Sequence, residues 1–451
     1  MLLFKDPVLR KNIIRVSAPA ILEMSLYMLI GVVDIAIVGR LGAAPLAAVG
    51  FGSEIFFSLV LLFEALAIGA SVLVAQAKGA NNVDRMVKTG FNTALLALLI
   101  GTIPLLIGLF GLDSLLSLFK LEPIVYSETR KYLLITFQFA PIAVFVYMIN
   151  AFFRGLGRTE IPMFIALAIN LVNIAGDYVL VYGKYGFPKL GVARAAWATS
   201  IAHLAGLIIL GIILITYTYK LNLLAYFRID WTLIKNILAI GIPSFLENLF
   251  LTITNFSSIF LIVYMGTIAY ASHQLALTVE SISYMPGFGM AIAATVLVGH
   301  GIGARSRSDV EKAARGTVEA ALIFMGGFAL IFLFFPTPIA RLFTSDIEVI
   351  TVAATLIRLA AFEQLTVASS IVLGGVLKGA GDTKTPMLIS TIFTWCFRLP
   401  LLYLSVIVLN WPIQYAWIIF ILDWFLRTVT FITIYRKKKW LHKALDMAKD
   451  A

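Results

Sequence analysis

The chain has 451 residues, of which 61% are hydrophobic and 13% are charged, and its net charge is +11. Soluble domains are about half apolar and about a quarter charged, so the composition excludes an ordinary soluble domain. It indicates a membrane protein, because each spanning helix takes about 20 mostly apolar residues. The only cysteine is Cys396, which excludes an intrachain disulfide and a thiolate metal cluster.

Apolar segments recur along the whole chain and predict twelve transmembrane helices, each edge placed to within about three residues. In chain order they are 12–39, 48–77, 88–110, 125–153, 161–182, 191–218, 235–264, 272–303, 312–336, 348–377, 386–409 and 412–435. The first segment follows a basic stretch, as in a signal peptide. It is longer than a signal's apolar core and carries Glu23 and Asp34, which favours a permanent helix. The predicted fold class is all-α integral membrane.

Lys and Arg are distributed unevenly between alternate inter-helix segments. When residues near helix ends are counted with the adjoining segment, one side holds 24 and the other holds 8, and the remaining three, Arg358, Arg398 and Arg427, lie deep inside helices. Basic residues accumulate on the cytoplasmic side of membrane proteins. We therefore expect a multi-pass protein of the cell inner (plasma) membrane with both termini in the cytoplasm. Topology explains the basic excess, so membrane lipids are expected partners and nucleic acid is not.

The two halves of the chain resemble each other at a constant shift of 224 residues. Pro19 falls on Pro243, Glu23 on Glu247, and the segment 154–159 on 378–383. We predict an N-terminal lobe at 1–218, a cytoplasmic linker at 219–234, and a C-terminal lobe at 235–451 with a basic tail. Six helices per lobe make the lobes enter from the same side, related by a pseudo-twofold along the membrane normal, as in parallel-repeat transporters with a site between the lobes. One duplicated chain also favours a monomeric transporter over a channel.

Ten acidic residues lie more than one turn inside the ends of the predicted helices, where a charge costs about 2.5–3.5 kcal/mol on insertion scales. They are Glu23, Asp34, Glu54, Glu64, Asp177, Glu247, Glu280, Glu319, Glu363 and Asp423. Asp423 is close in sequence to Arg427 and similar in depth to Arg398, which predicts a structural ion pair.

Asp34 and Asp177 lie at nearly the same predicted depth, in the external half of the membrane. Asn170, Asn173 and Asp177 are spaced i, i+3, i+7 and share one helix face. Hydrogen bonds between helices would explain this polar face; a proton or cation site also would, and we favour it. Burial and a second carboxylate both disfavour ionisation, so such a pair can exchange a proton for a cation.

Pro19 lies fifteen residues before Asp34 on the same predicted helix. A proline inside a helix removes a backbone hydrogen bond and permits a bend. The bend could be a hinge that protonation biases, or a static kink of the kind that membrane helices tolerate.

No motif for catalysis is evident. The segment 379–385 faintly resembles a phosphate-binding loop, but no strand precedes it, and its repeat mate favours a helix-ending turn used twice. His203, His273 and His300 have no metal-ligand spacing. A membrane-embedded enzyme is therefore the least favoured hypothesis. We expect no catalytic residue, no metal site and no cofactor beyond a coupling ion.

Several motifs resemble those of the multidrug and toxic compound extrusion (MATE) transporters of prokaryotes. They are 33–42, 46–50, 69–76, 154–159, Asn173 with Asp177, 286–289, 298–300 and 378–386. The resemblance covers nearly the whole chain in family order. It implies an antiporter that takes in H⁺ or Na⁺ and exports amphipathic, often cationic, drugs by alternating access. A lipid or polysaccharide-precursor flippase of the same superfamily is the alternative.

The resemblance also implies site residues. The family branch with a coupling site in its N-terminal lobe matches four residues, which are Pro19, Asp34, Asn173 and Asp177. The Thr that this branch uses on helix 6 falls on or near Ala195, with Thr199 one turn away. Another branch binds Na⁺ through a Glu matched by Glu247 and an Asp that falls near Val367, one turn from Glu363. We favour N-lobe coupling, with Glu247 and Glu363 as secondary candidates, and leave the choice between H⁺ and Na⁺ open.

Overall fold

A computed structural model describes residues 6–38, 42–181, 192–221 and 228–447, and within these ranges the chain is helical without strands. Side chains 30–36, 38, 43, 181 and 217–221 lie outside the described part. Asp34 is among them, so the structure places its backbone on a helix and nothing more.

The described residues contain twelve long helices, α1 to α12, which follow the predicted segments closely. They are Pro7–Val38, Ala44–Gly79, Val83–Ser117, Pro123–Gly155, Glu160–Val181, Ala193–Leu221, Trp231–Val263, Thr267–Gly303, Arg307–Phe334, Ile347–Gly379, Lys384–Val408 and Ile413–Lys437. By length and composition, eleven of them (α2 to α12) can cross a membrane within the described residues. Helix α1 has 32 residues, about 48 Å at 1.5 Å per residue. The all-α membrane fold class is thereby confirmed.

Three irregular turns of the backbone recur at the same shift of 224 residues. Left-handed backbone angles occur in three matched pairs: Gly42 and Gly266 (φ 115° and 99°), Asn81 and Arg305 (53° and 55°), and Gly157 and Gly381 (71° and 87°). Residues that rarely adopt the left-handed backbone conformation, such as Arg305, do so only where the surrounding turn requires it. The last pair confirms the prediction that the segment 379–385 is a helix-ending turn used twice.

The helix starts after the second of these pairs are matched too. Asn82 accepts a hydrogen bond from the Arg85 amide at 2.9 Å, and Ser306 accepts one from the Asp309 amide at 3.3 Å. Asn and Ser both satisfy the amides that a first helical turn leaves unpaired. The duplicated sequence therefore builds duplicated turns and caps, even where the residue types differ.

The described residues form two compact units. The N-terminal unit contains residues 22–38, 42–74 and 82–241 within the described ranges, and the C-terminal unit contains 6–21, 75–81 and 242–447. Helix α1 changes unit between Ile21 and Leu22, and helix α7 changes between Gly241 and Ile242. Pro19 and Pro243 each lie within three residues of these points.

Glycines allow close helix packing inside each unit. In the N-terminal unit, Gly155 of α4 lies against the Ser71 backbone of α2, and in the C-terminal unit its repeat mate Gly379 lies against Thr295 of α8. Small residues let membrane helices approach until their backbones touch. The polar side chains of α2 and α8 are thereby brought near those of α4 and α10.

The basic tail contains a further helix, α13 (Lys439–Met447), which the sequence analysis did not predict. Trp440, Leu441 and Ala444 are buried, and the Trp440 indole donates to the Tyr435 carbonyl at 3.2 Å. Lys438 pairs with Glu311 at 2.7 Å. The tail is therefore packed against the C-terminal unit through an apolar face.

Candidate functional site

The polar face predicted on helix α5 is buried in the N-terminal unit. Asn170, Asn173 and Asp177 are each at most 1% exposed, and Thr199 of α6 is 2% exposed. Neither polar atom of the Asn173 amide has a hydrogen-bond partner among the described residues. Burying an unpaired amide costs free energy, so this amide is suited to an incoming ligand or ion.

Helices α5 and α6 approach closely at this level. A Cβ on Gly176 would lie 3.1 Å from the Ala198 Cβ, so the absence of a side chain at Gly176 permits the approach. Asp177 and Thr199 are the chain neighbours of these two residues and therefore lie at the same level of the helix pair. The Thr199 hydroxyl donates to the Ala195 carbonyl at 3.0 Å, which leaves its oxygen able to accept or to ligate.

A buried histidine, His203, lies one turn beyond Thr199 on α6 and is 1% exposed. Its Nδ1 is 2.8 Å from the Thr199 carbonyl oxygen. Because a carbonyl only accepts, Nδ1 carries the hydrogen. The ring is surrounded by Phe56, Phe57 and Tyr147, with centroids 5.9 to 6.4 Å away.

A second polar cluster of the N-terminal unit joins α1, α2 and α4. Arg154 contacts both Glu64 and Glu23, at 3.4 Å in the second case, and Tyr27 donates to Glu23 at 2.9 Å. Sequence reasoning placed Glu23 and Glu64 inside helices without giving them a role. In the repeat, Glu23 corresponds to Glu247 and Arg154 corresponds to Lys378. Each half therefore has an acidic and a basic residue at these two positions, and this match could have predicted the ion pair of Glu23 with Arg154.

In the C-terminal unit, Glu247 is already paired. Lys378 lies 2.8 Å from one of its carboxylate oxygens, and the Ser390 hydroxyl donates to the other at 3.2 Å. The pair repeats the contact of Glu23 with Arg154. In this structure the charge of Glu247 is balanced by a side chain.

The largest charged cluster of the C-terminal unit centres on Asp423. Arg398 lies 2.5 Å and Arg427 2.8 Å from its Oδ2 atom, which confirms the predicted ion pair. Glu363 is 2% and Glu280 8% exposed, and their carboxyl groups are within hydrogen-bonding reach of each other. Three carboxyl groups therefore share one buried region with two guanidinium groups, so the structure gives Glu363 a partner, Glu280, that sequence reasoning did not single out.

Helix α11 is irregular where it enters this cluster. Residues Phe393–Arg398 form a π-helical turn, a feature that often accompanies functional sites. The turn carries Arg398, and Thr394 within it accepts a hydrogen bond from Arg427 at 3.0 Å. The 224-residue shift relates Asp423 and Arg427 to Thr199 and His203, so the two halves carry different chemistry on corresponding turns.

The predicted candidates thus fall into separate groups. Asn173, Asp177 and Thr199 lie on the adjoining helices α5 and α6 of the N-terminal unit, whereas Glu247 and Glu363 lie in the C-terminal unit, where Glu247 pairs with Lys378 and Glu363 with Glu280. Pro19 lies inside the continuous helix α1. Within the described part of the chain, no three His, Cys, Asp or Glu side chains are arranged to hold a metal ion.

Comparison with solved structures shows the same fold. A structure described as a MATE in the bent conformation aligns with a TM-score of 0.88 and 22% identity, covering 98% of this chain and 97% of that one. An outward-facing multidrug resistance MATE family transporter of the MOP superfamily aligns with a TM-score of 0.86 and 22% identity, covering 95% and 96%.

Comparison of sequences gives full-length relatives. The chain is 32% identical to a probable multidrug resistance protein NorM of Thermotoga maritima, over 97% of this chain and 95% of that protein. It is 25% identical to the uncharacterized transporter YisQ of Bacillus subtilis, over 98% and 99%. The MatE family model matches residues 19–179 and 243–404, and these two matches begin 224 residues apart. The chain therefore belongs to the MatE family, the multidrug and toxic compound extrusion transporters, and is a multi-pass membrane transporter rather than an enzyme.

Proposed function

We propose that the protein is an antiporter of the plasma membrane that takes in H⁺ or Na⁺ and exports amphipathic organic cations by alternating access, with both termini in the cytoplasm. Family membership and the multidrug relatives support the substrate class. Asp34 and Asp177 are proposed as the coupling carboxylates, with Asn173 and Thr199 beside them and Pro19 as the hinge of helix α1.

The observation that carries this proposal is the buried, unpaired amide of Asn173 one turn from the buried carboxyl group of Asp177. An amide oxygen and a carboxylate can ligate Na⁺, and the carboxylate can instead take a proton. In either case, binding adds positive charge where burial penalises the carboxylate, and it favours the conformation in which the cation binds more tightly.

A second candidate for coupling is the cluster around Glu280 and Glu363. Its three carboxyl groups exceed its two guanidinium groups by one negative charge, so one bound proton or monovalent cation would balance it. Glu247 is a weaker candidate, because Lys378 already neutralises it.

The test uses purified protein in liposomes and follows uptake of a fluorescent organic cation, such as ethidium, under a pH gradient without Na⁺ and then under a Na⁺ gradient. We expect gradient-driven uptake that is lost in Asp34→Asn and in Asp177→Asn. Asp113→Asn is the matched control, because Asp113 is 61% exposed and pairs with Arg130 at 2.6 Å. Wild-type rates in both site variants would refute N-lobe coupling, and loss in Glu363→Gln alone would transfer coupling to the second cluster. Silence under both gradients would contradict drug antiport and favour the flippase.

A further inference from the structure

The charges of the cluster formed by Glu23, Glu64 and Arg154 do not balance. The Glu23 side chain is fully buried, and the Glu64 and Arg154 side chains are 12% and 10% exposed. The single guanidinium contacts both carboxyl groups. If both were ionised, one buried negative charge would have no partner, which costs several kcal/mol in order of magnitude.

The corresponding cluster of the C-terminal unit is balanced. The repeat shift carries Glu23 to Glu247 and Arg154 to Lys378, and it carries Glu64 to Phe288. One carboxylate there meets one ammonium group at 2.8 Å. The extra carboxyl group therefore belongs to the N-terminal half alone, where the duplicated sequence has departed from its repeat mate.

The surroundings of Glu23 suit a proton. Its Oε1 accepts from Tyr27 at 2.9 Å, whereas its Oε2 is buried without a hydrogen-bond partner among the described residues. A neutral carboxyl group tolerates such burial far better than a carboxylate does. A metal cation would instead need several oxygen ligands and would lie beside the guanidinium group of Arg154.

We propose that Glu23, Glu64 and Arg154 form a proton-binding site in which the two carboxyl groups share one proton. Helix α2 changes from α-helical to 3₁₀ geometry at Ala65–Ala67, directly after Glu64. Such a change inside a helix often marks a hinge, so the contact of Glu64 with Arg154 stands at a point where helix α2 can adjust.

In the proposed topology, with both termini in the cytoplasm, the site lies on the cytoplasmic side of the proposed coupling carboxylates. Glu23 precedes Asp34 by eleven residues of helix α1, about 16 Å along its axis. A chain of aromatic and imidazole groups extends from this cluster to helix α6: Tyr27 lies 5.3 Å from Tyr147, and Tyr147 lies 5.9 Å from His203, measured between ring centroids. We assign the cluster to release of the coupling proton towards the cytoplasm, and this role rests on the proposed function, whereas proton binding itself does not.

The groups that face the cluster from each packed helix are few. Helix α1 contributes Glu23 and Tyr27, α2 contributes Glu64, and α4 contributes Tyr147 and Arg154. On α6, His203 contacts the Tyr147 ring. Within the described residues, these are the groups that determine the protonation of the cluster. When one of its two carboxyl groups is substituted, the other remains as a one-to-one ion pair with Arg154.

The experiment measures the infrared C=O stretch of protonated carboxyl groups in purified protein carrying Asp34→Asn and Asp177→Asn, where the proposed coupling carboxylates are absent. We expect one protonated carboxyl band at neutral pH to be lost in Glu23→Gln and equally in Glu64→Gln. Either variant alone decides the matter if the other does not fold. Glu247→Gln is the matched control and should leave this band unchanged, because Glu247 is paired one-to-one with Lys378 at 2.8 Å. Retention of every band in both variants would overturn the site.

The release role has its own readout, in protein with Asp34 and Asp177 intact. Glu23→Gln should slow uptake driven by a pH gradient and change the pH dependence of the uptake rate, because the carboxyl group that accepts the proton is removed. If Glu23→Gln removes the infrared band but leaves the pH dependence of uptake unchanged, the release role is overturned and the proton-binding site is retained. Failure of Asp34→Asn to affect transport would overturn the proposed function without affecting the infrared result.

Discussion

Replacing Asp423 with Asn removes the carboxylate that lies between two buried guanidinium groups. Asp423 is fully buried, and its Oδ2 lies 2.5 Å from Arg398 and 2.8 Å from Arg427. Removing one partner from a buried ion pair costs about 3–5 kcal/mol, because the remaining charge stays buried. We expect Asp423→Asn to lower the free energy of unfolding by this amount.

Glu363→Gln is the internal comparison. It removes a carboxyl group from the same cluster but leaves Asp423 in contact with both guanidinium groups. Its cost should be that of a changed hydrogen bond, about 1 kcal/mol. Both variants are measured by reversible unfolding in mixed micelles with increasing sodium dodecyl sulfate, at neutral pH. Equal losses in the two variants, or a loss below about 1 kcal/mol for Asp423→Asn, would refute the direct pairing of Asp423 with both guanidinium groups.

Three further predictions, with four substitutions, test packing and the proposed site. Gly303→Ala should lower the free energy of unfolding by about 1–3 kcal/mol, because a Cβ there would meet the Gln76 backbone. Gly327→Ala should raise the free energy of unfolding by about 0.5 kcal/mol, because a Cβ there would meet nothing within 4 Å. The same mixed-micelle titration compares the two variants. Asn173→Leu should raise the free energy of unfolding by about 1 kcal/mol, since it removes a buried unpaired amide, while abolishing cation-driven uptake in liposomes; unchanged uptake would count against the site. Pro19→Ala restores a backbone hydrogen bond of helix α1 and should slow transport by about tenfold if the bend is part of the cycle, a barrier change of about 1.4 kcal/mol, with uptake rates at saturating substrate as the measurement.

Helix number and position were predictable from sequence because a spanning helix must be apolar over about 20 residues. The predicted helix bounds differ from the structure where capping decides the start of a helix. Helix α7, predicted to begin at residue 235, begins at Trp231 because Asp230 accepts hydrogen bonds from the amides of Thr232 and Leu233. The shared face of Asn170, Asn173 and Asp177 was also predictable, since helical spacing alone determines it. Buried ion pairs between distant helices were harder, because spacing within one helix does not say which neighbour a side chain meets.

The repeat supplies some of that missing information, and its failures are as useful as its successes. Backbone turns are retained in both halves, as the paired φ angles of Gly157 and Gly381 illustrate, because a changed turn would disturb every helix that follows it. Side chains inside the helices carry no such constraint. Glu64 corresponds to Phe288, and Thr199 to Asp423, so the two halves hold their excess carboxyl groups on different helices.

This divergence bears on coupling. A bound cation can bias a conformational equilibrium only through a difference in its affinity for the two states. Two identical clusters, one per half, would respond alike to pH, whereas here the N-terminal unit has one guanidinium against two carboxyl groups and the C-terminal unit two against three. Each cluster is one positive charge short, but each is built from different helices and different partners. Their affinities for a proton should therefore differ, and only a cluster whose proton affinity changes between the two conformational states could add to the coupling proposed at Asp34 and Asp177.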